Sequence, residues 1–235
     1  MMKRQILTIM IVTLSVMLVT ASGFAAEKEH SGFLGDYSGL QPGPEGGAKE
    51  RYMKPDVDFK KYNKIMLDSV VFFLAEDAEY KGISAEDMKE LSDTFNKAVV
   101  DALGKDYPLV AEAGPDVMRV RTAITKLKPS KPGAATMTTI NPVGLAFSFI
   151  KKGATGEYAG VGNTGIEVEF LDSLTNERIG AVVDYKPGGK MSGFAKWSAS
   201  KEAFEFWAGR LKTFLDETHG IAPKPAPKDT PQDTR

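Results

Sequence analysis

Hydrophobic residues recur every three to four positions in two parts of this 235-residue chain. The first part predicts an amphipathic helix that follows Ser84, a residue suited to capping a helix, and ends at Gly104. The second part, residues 204–219, predicts another helix that ends at a glycine. Because such helices bury their apolar faces, we expect Trp207 and Leu211 to lie in the protein core.

A period of two residues predicts strands elsewhere in the chain. Residues 117–127 alternate between apolar and polar side chains, and so do residues 166–170 and 179–185. The last two segments are separated by residues 172–176, which have the composition of a turn. We therefore predict one strand and one β-hairpin, each with a solvated face.

Opposite charges occupy the polar faces of two of these strands. Arg119 and Arg121 share one face of the first strand, whereas Glu167 and Glu169 share one face of the hairpin. Opposite charges on adjacent antiparallel strands stabilise their pairing. We predict that these two strands are neighbours.

Residues 65–74 are almost all apolar and rich in valine and phenylalanine. A run of this kind is typical of a strand that is buried on both faces, so we expect it at the centre of the sheet. Together the elements predict an α+β fold, with a mixed, largely antiparallel sheet and two main helices packed on one face.

The N-terminus has the pattern of an export signal. Lys3 and Arg4 precede an apolar run over residues 6–19, which is shorter than the ~20 residues needed to span a bilayer. Small residues at Gly23 and Ala25 suit cleavage after Ala25. We predict a removed signal peptide over residues 1–25 and an exported protein; the alternative is a retained membrane anchor.

The mature chain divides by composition into three parts. Residues 26–54 are rich in glycine and proline and predict an extended arm. Residues 55–220 predict a single α+β domain with a loop excursion over residues 129–164, and residues 221–235 a disordered proline-rich tail. Four apolar side chains of the arm are spaced for docking on the domain: Phe33, Leu34, Tyr37 and Leu40.

Composition excludes several classes of function. Thirty basic residues nearly balance 31 acidic ones, so no overall positive field attracts nucleic acid. The chain has no cysteine, which excludes disulfides, thiolate metal sites, a thiol nucleophile and a lipid attached to an N-terminal cysteine.

The motifs that resemble known catalytic or binding sites have simpler explanations. Gly160, Gly162 and Gly165 spell GxGxxG, but a strand follows them where a nucleotide-binding loop needs a helix. His30 and His219 are too far apart to form a histidine cluster, and no serine lies in a GxSxG context. We predict no cofactor and no enzymatic activity.

Acidic residues raise two further candidates. Glu167 and Glu169 have the spacing of paired catalytic carboxylates or calcium ligands, but alternation on a solvated strand face explains them more simply. Asp172, Asn176 and Glu177 also suggest calcium, although aspartate and asparagine are common turn formers. We assign all five residues structural roles.

One apolar segment, residues 139–152, has two interpretations. An apolar run closed by lysines is typical of an interfacial membrane segment or an oligomer contact, since lysines reach toward anionic headgroups. The alternative is a short buried helix that covers the sheet. The candidate contact residues are Leu145, Phe147, Phe149, Ile150, Lys151 and Lys152.

Several phrases of the sequence resemble a bacterial envelope family known as domain of unknown function 3313. They are SGFLGDYSGL at residues 31–40, RYMKP at 51–55, MRVRTAITKL at 118–127, IEVEFLDSLTNERIGAVVD at 166–184 and KWSASKEAFEFWA at 196–208. The resemblance implies an envelope protein, usually a lipoprotein, and brings no activity with it. Here residues 18–22 stand where a lipobox would lie, and no cysteine follows them.

These observations predict an exported, non-enzymatic periplasmic or envelope-associated protein that binds or assembles with a partner. The candidate partners are an envelope protein, a membrane surface and a second copy of the chain. The alternative is a small-ligand-binding protein or an enzyme whose site lies in a cleft between the arm and the sheet. A deep pocket would favour this alternative.

Overall fold

A computed structural model describes residues 30–74, 82–131, 161–189 and 195–221. The predicted signal peptide, most of the loop excursion and nearly all of the C-terminal tail lie outside these ranges and stay predictions. Within the described ranges the chain forms strands and helices in an α+β arrangement, which confirms the predicted class. The strands are β1 Gln41–Pro42, β2 Glu50–Met53, β3 Lys64–Leu67, β4 Val71–Phe72, β5 Val117–Lys128, β6 Asn163–Asp172 and β7 Arg178–Pro187; the helices are α1 Ala85–Leu103 and α2 Ser198–Thr218, with a 3-10 helix at Phe59–Lys61.

The described strands form one mixed sheet in the order β1-β2-β7-β6-β5-β3, and β4 also pairs with β5. Neighbours from β1 to β5 are antiparallel, whereas β3 and β4 run parallel to β5. Strands β6 and β7 are the predicted hairpin, and β5 lies beside β6 as the charge pattern predicts. The sheet is therefore mixed and largely antiparallel, as expected.

The apolar run at residues 65–74 is not a central strand. It forms two short strands, β3 and β4, that lie along the outer side of β5 at the end of the sheet. Ile65 and Val70 are buried in the main core, whereas Val71 and Phe73 are exposed. The run is apolar because part of it packs into that core. Such packing does not require the run to be paired with a strand on both sides.

Both helices lie on one face of the sheet and begin close to each other. Ser84 accepts a hydrogen bond from the backbone N–H of Asp87, which confirms the predicted cap of α1. The Asp87 carboxylate also binds the Lys196 ammonium and the Trp197 indole N–H, which lie just before α2. The Lys196 ammonium, together with the Trp197 and Ser84 hydrogen bonds, holds the pKa of Asp87 well below its usual range.

The opposite face of the sheet is covered by the arm. Leu34 packs with Ala181 and Val183 of β7, and the neighbouring apolar arm residues join this cluster. The predicted docking of the arm is thus confirmed, and β1 and β2, from its second half, extend the sheet edge. The predicted solvated face is wrong for Glu167 and Glu169, because the arm buries them to 1% and 6% exposure.

Candidate functional site

Glu167 fastens the arm to the sheet. Its Oε1 accepts a hydrogen bond of 2.7 Å from the backbone N–H of Ser31, and its Oε2 accepts one of 2.7 Å from the Tyr37 hydroxyl. Burial, followed by the hydrogen bond to Glu167, raises the pKa of the Tyr37 hydroxyl. The carboxylate is therefore committed to holding the arm.

Glu169 has cationic partners on both sides. Arg121 donates to its Oε2 at 2.6 Å, which confirms the predicted pairing of charges between β5 and β6. Arg178 donates to its Oε1 at 2.8 Å and also donates to the Leu34 and Asp36 carbonyl oxygens of the arm. The other predicted partner, Arg119, instead binds Asp68 and Asn176.

Asp172 shapes the hairpin turn, as predicted. Its Oδ1 accepts from the backbone N–H groups of Leu174 and Thr175, and its Oδ2 accepts from Tyr62 and Lys61. Burial alone would raise the pKa of Asp172, but these hydrogen bonds outweigh it and hold the pKa well below the usual range. Within the described ranges no group of three or more acidic or histidine side chains is placed to hold a metal ion.

The histidines and the glycine motif serve local structure. His30 Nε2 lies 2.6 Å from Glu50 Oε2, whereas the ring nitrogens of His219 lie 2.8 and 3.0 Å from backbone carbonyl oxygens. A Cβ on Gly162 would lie 2.2 Å from the Lys128 carbonyl oxygen, so only glycine fits where β6 approaches the end of β5. Gly165 lies within β6, the strand expected after the motif.

The predicted contact residues lie outside the described part of the chain. They are Leu145, Phe147, Phe149, Ile150, Lys151 and Lys152. Both interpretations of this segment therefore stay predictions.

A cavity of about 170 Å³ lies between the helices and the sheet. Its walls are mostly aliphatic and aromatic side chains, as is common in small-molecule sites. The sheet contributes Met53 from β2, Val120 from β5, Val168 and Phe170 from β6 and Val182 from β7. The helices contribute Phe95 and Val99 from α1 and Trp207, Leu211 and Phe214 from α2.

One polar group lines the inner part of this cavity. Thr122 of β5 is 2% exposed, and among the described residues its hydroxyl oxygen has no hydrogen-bond partner. An unpaired buried hydroxyl costs ~1–3 kcal/mol.

The cavity opens toward β2 and the turn before it. Pro44, Gly47 and Ala48 of this turn line the opening, and the exposed side chains of Arg51 and Arg210 lie on it. The acidic lining residue Asp184 is already engaged. Its Oδ1 accepts from the backbone N–H of Lys49 at 3.0 Å, and its Oδ2 accepts from the Trp207 indole N–H at 2.6 Å.

Sequence comparison assigns the chain to a family. The family described as "Protein of unknown function (DUF3313)" matches residues 29–211, most of the chain. The chain belongs to this family. This DUF3313 chain is also similar to the "Uncharacterized lipoprotein YdcL" of Escherichia coli K12. The two are 27% identical over 165 residues, which cover 69% of this chain and 73% of the relative. The same lipoprotein of Escherichia coli O157:H7 matches equally.

Two solved structures are similar to this DUF3313 chain over most of their length. The PelC dodecamer of Paraburkholderia phytofirmans has a TM-score of 0.39 at 9% identity, covering 68% of this chain and 94% of that one. A Xanthomonas campestris protein has a TM-score of 0.35 at 9% identity, covering 72% and 91%. Neither likeness bears on function.

In the described part of the chain, neither α1 nor α2 is long and apolar enough to cross a bilayer.

Trp207 and Leu211 pack against the main core, as the helical period predicts, but they are not fully buried. Both are half-buried, and both line the cavity of this DUF3313 protein. Periodicity identifies the inward face of a helix, but it does not show whether the sheet fills the space opposite. The one sequence signal for the cavity is Thr122, a polar residue among the apolar inward positions of β5.

Proposed function

We propose that this protein is an envelope-associated, non-enzymatic binding protein that holds a small, mostly apolar molecule between the sheet and α2. The observation that carries the proposal is the apolar cavity with the unpaired Thr122 hydroxyl. The name of the Escherichia coli relative, a lipoprotein, and the predicted signal peptide support the envelope location.

The size and walls of the cavity suit an apolar guest. A cavity of ~150 Å³ accommodates benzene in a protein core, and this one measures about 170 Å³. Burying an apolar group contributes a favourable free energy of ~25 cal/mol for each Å² of surface removed from water. Since the walls already exist without the guest, little ordering free energy opposes binding.

The non-enzymatic part of the proposal rests on the positions of the acidic and histidine side chains. Glu167 and Glu169 are buried under the arm on the opposite face, and their oxygens bind arm and strand donors. At the cavity, Asp184 is occupied by Trp207 and Lys49. Assembly with a protein partner through residues 145–152 is a separate prediction from the sequence.

The test is binding of a neutral naphthylamine dye whose fluorescence rises in apolar surroundings. Val168 lines the middle of the cavity, so Val168→Phe should fill it and weaken dye binding more than ~10-fold. The matched control is Val71→Phe, the same change at an exposed strand position, which should leave binding unchanged.

Urea unfolding of the same variants separates loss of the site from loss of the fold. Val168→Phe should keep the parent midpoint, because the new ring occupies space that is already open. If it lowers the midpoint, Val182→Phe on the neighbouring strand provides an independent filling variant. Absence of dye binding by the parent, or equal binding by the parent and both filled variants, would contradict the proposal.

A further inference from the structure

Resting on that proposed function, we infer that the bound molecule is a single-chain amphiphile whose apolar chain lies in the cavity and whose acidic head group meets Arg51 and Arg210. The three observations behind this inference are the span of the cavity lining, the side chains of the two arginines, which are unpaired among the described residues, and the excess of positive over negative charge among the lining residues.

The lining of the cavity extends across the sheet. Its sheet wall crosses five adjacent strands in the order β3, β5, β6, β7 and β2. Neighbouring strands are ~4.8 Å apart, so four such steps span ~19 Å. A cavity whose lining has that length admits an extended alkyl chain.

The two arginines at the opening are available to an anion. Arg51 lies on β2 and Arg210 on α2, so the opening has a guanidinium group on two different elements. Both side chains are exposed, and neither forms a hydrogen bond or ion pair with any described residue. A guanidinium group presents paired donors that match a carboxylate or phosphate.

One acidic residue in the described ranges lines the cavity together with these two arginines. Asp184 is the acidic residue among the described residues that line the cavity, and both of its oxygens accept hydrogen bonds from Lys49 and Trp207. The whole chain is close to neutral, with 30 basic and 31 acidic residues. These donors are neutral and leave the charge of Asp184 in place, so two guanidinium groups against one carboxylate give the described cavity lining a net positive charge that favours an acidic head group.

The experiment compares head groups on one chain length by displacement of the neutral dye. Decanoate, decanamide and decylammonium share a ten-carbon skeleton and differ mainly in charge. Decanoate should displace the dye at a concentration ~5- to 20-fold lower than decanamide, and decylammonium should be the weakest. Raising the salt concentration should reduce this preference, because exposed charges are screened.

The variants assign the preference to the two arginines. Arg51→Gln and Arg210→Gln should each reduce decanoate affinity ~2- to 5-fold and leave decanamide affinity unchanged. Arg51→Lys should retain part of the preference because it keeps the charge. The matched control is Lys97→Gln, which removes a charge from the exposed surface of α1 outside the cavity lining.

Each outcome either supports or overturns the inference. If the dye binds but decanoate and decanamide displace it equally, the head-group inference is wrong and the proposed function stands. If neither the dye nor any decyl compound binds, the proposed function itself fails. If monomeric decanoate does not displace the dye but phosphatidylglycerol vesicles bind the protein, the opening meets a membrane, and the inference of a free amphiphile is overturned.

Discussion

The buried polar groups on the two faces of the sheet differ in their hydrogen bonding. Under the arm, Glu167 and Glu169 are buried and each carboxylate is hydrogen-bonded by at least two donors. Under the helices, Thr122 lines the cavity, and its buried hydroxyl lacks a partner among the described residues. The difference indicates that the buried carboxylates of the arm face are satisfied within this chain, whereas the helix face buries a hydroxyl without a partner among the described residues.

The two faces also differ in what holds them together. The arm is fixed mainly by hydrogen bonds to buried charges, with a small apolar cluster around Leu34. The helices are fixed by a large apolar core in which Phe95 and Phe204 meet edge to face at 5.5 Å. Polar changes should therefore disturb the arm face most, and changes of apolar volume should disturb the helix face most.

The largest effect is expected where the helix face is fully packed. Phe204 is completely buried, so Phe204→Ala should lower the free energy of unfolding by ~3–5 kcal/mol. Trp207→Ala should cost only ~2 kcal/mol, because the half-buried indole lines the cavity and loses one hydrogen bond. Urea unfolding of both variants measures the contrast, and equal losses would place Trp207 in the packed core.

On the arm face, removing one hydroxyl should destabilise the protein. Tyr37→Phe deletes the donor to buried Glu167, and a hydrogen bond to a charged group is worth ~1.5–3 kcal/mol. The control is Tyr52→Phe, in the same apolar cluster, since the Tyr52 hydroxyl has no hydrogen bond to any described residue. Similar urea midpoints for the two variants would show that the Glu167 contact contributes little.

On the helix face, removing one hydroxyl should have the opposite sign. Thr122→Val deletes an unpaired buried hydroxyl and should raise the free energy of unfolding by ~1 kcal/mol. The paired counterpart is Thr164→Val, which deletes a buried hydroxyl that donates to Ser200 at 2.8 Å and should destabilise by a similar amount. A destabilising Thr122→Val would mean that a water molecule already satisfies this hydroxyl.

The smallest effect is the pH dependence that Tyr37 gives to the attachment of the arm. The folded-state pKa of Tyr37 is raised by burial and by Glu167, so its stabilising contribution is complete below the ordinary tyrosine pKa of ~10. That contribution is lost as the pH rises through the folded value. Limited proteolysis of the arm should accelerate above about pH 10 in the parent more than in Tyr37→Phe, and parallel pH profiles would contradict this.

Local patterns were sufficient for the elements whose structure depends on near neighbours in the chain. The ends of α1 follow from Ser84 and Gly104, and the β6–β7 hairpin follows from a turn built around Asp172. Even the contact between β5 and β6 was readable, because Arg121 and Glu169 carry complementary charges on alternating positions. The cap and the turn depend on hydrogen bonds between residues close in the chain, and the strand contact depends on the two-residue side-chain period of strands.

What the tertiary structure decided depends on residues far apart in the chain. The Ser31 contact that buries Glu167 spans 136 residues, so alternation alone indicated a solvated carboxylate. Residues 65–74 lie at the edge of the sheet because β6 pairs with the other side of β5. The cavity arises where α1, α2 and five strands do not fill the space between them. Volume complementarity among separate elements has no signature in the period of any one element.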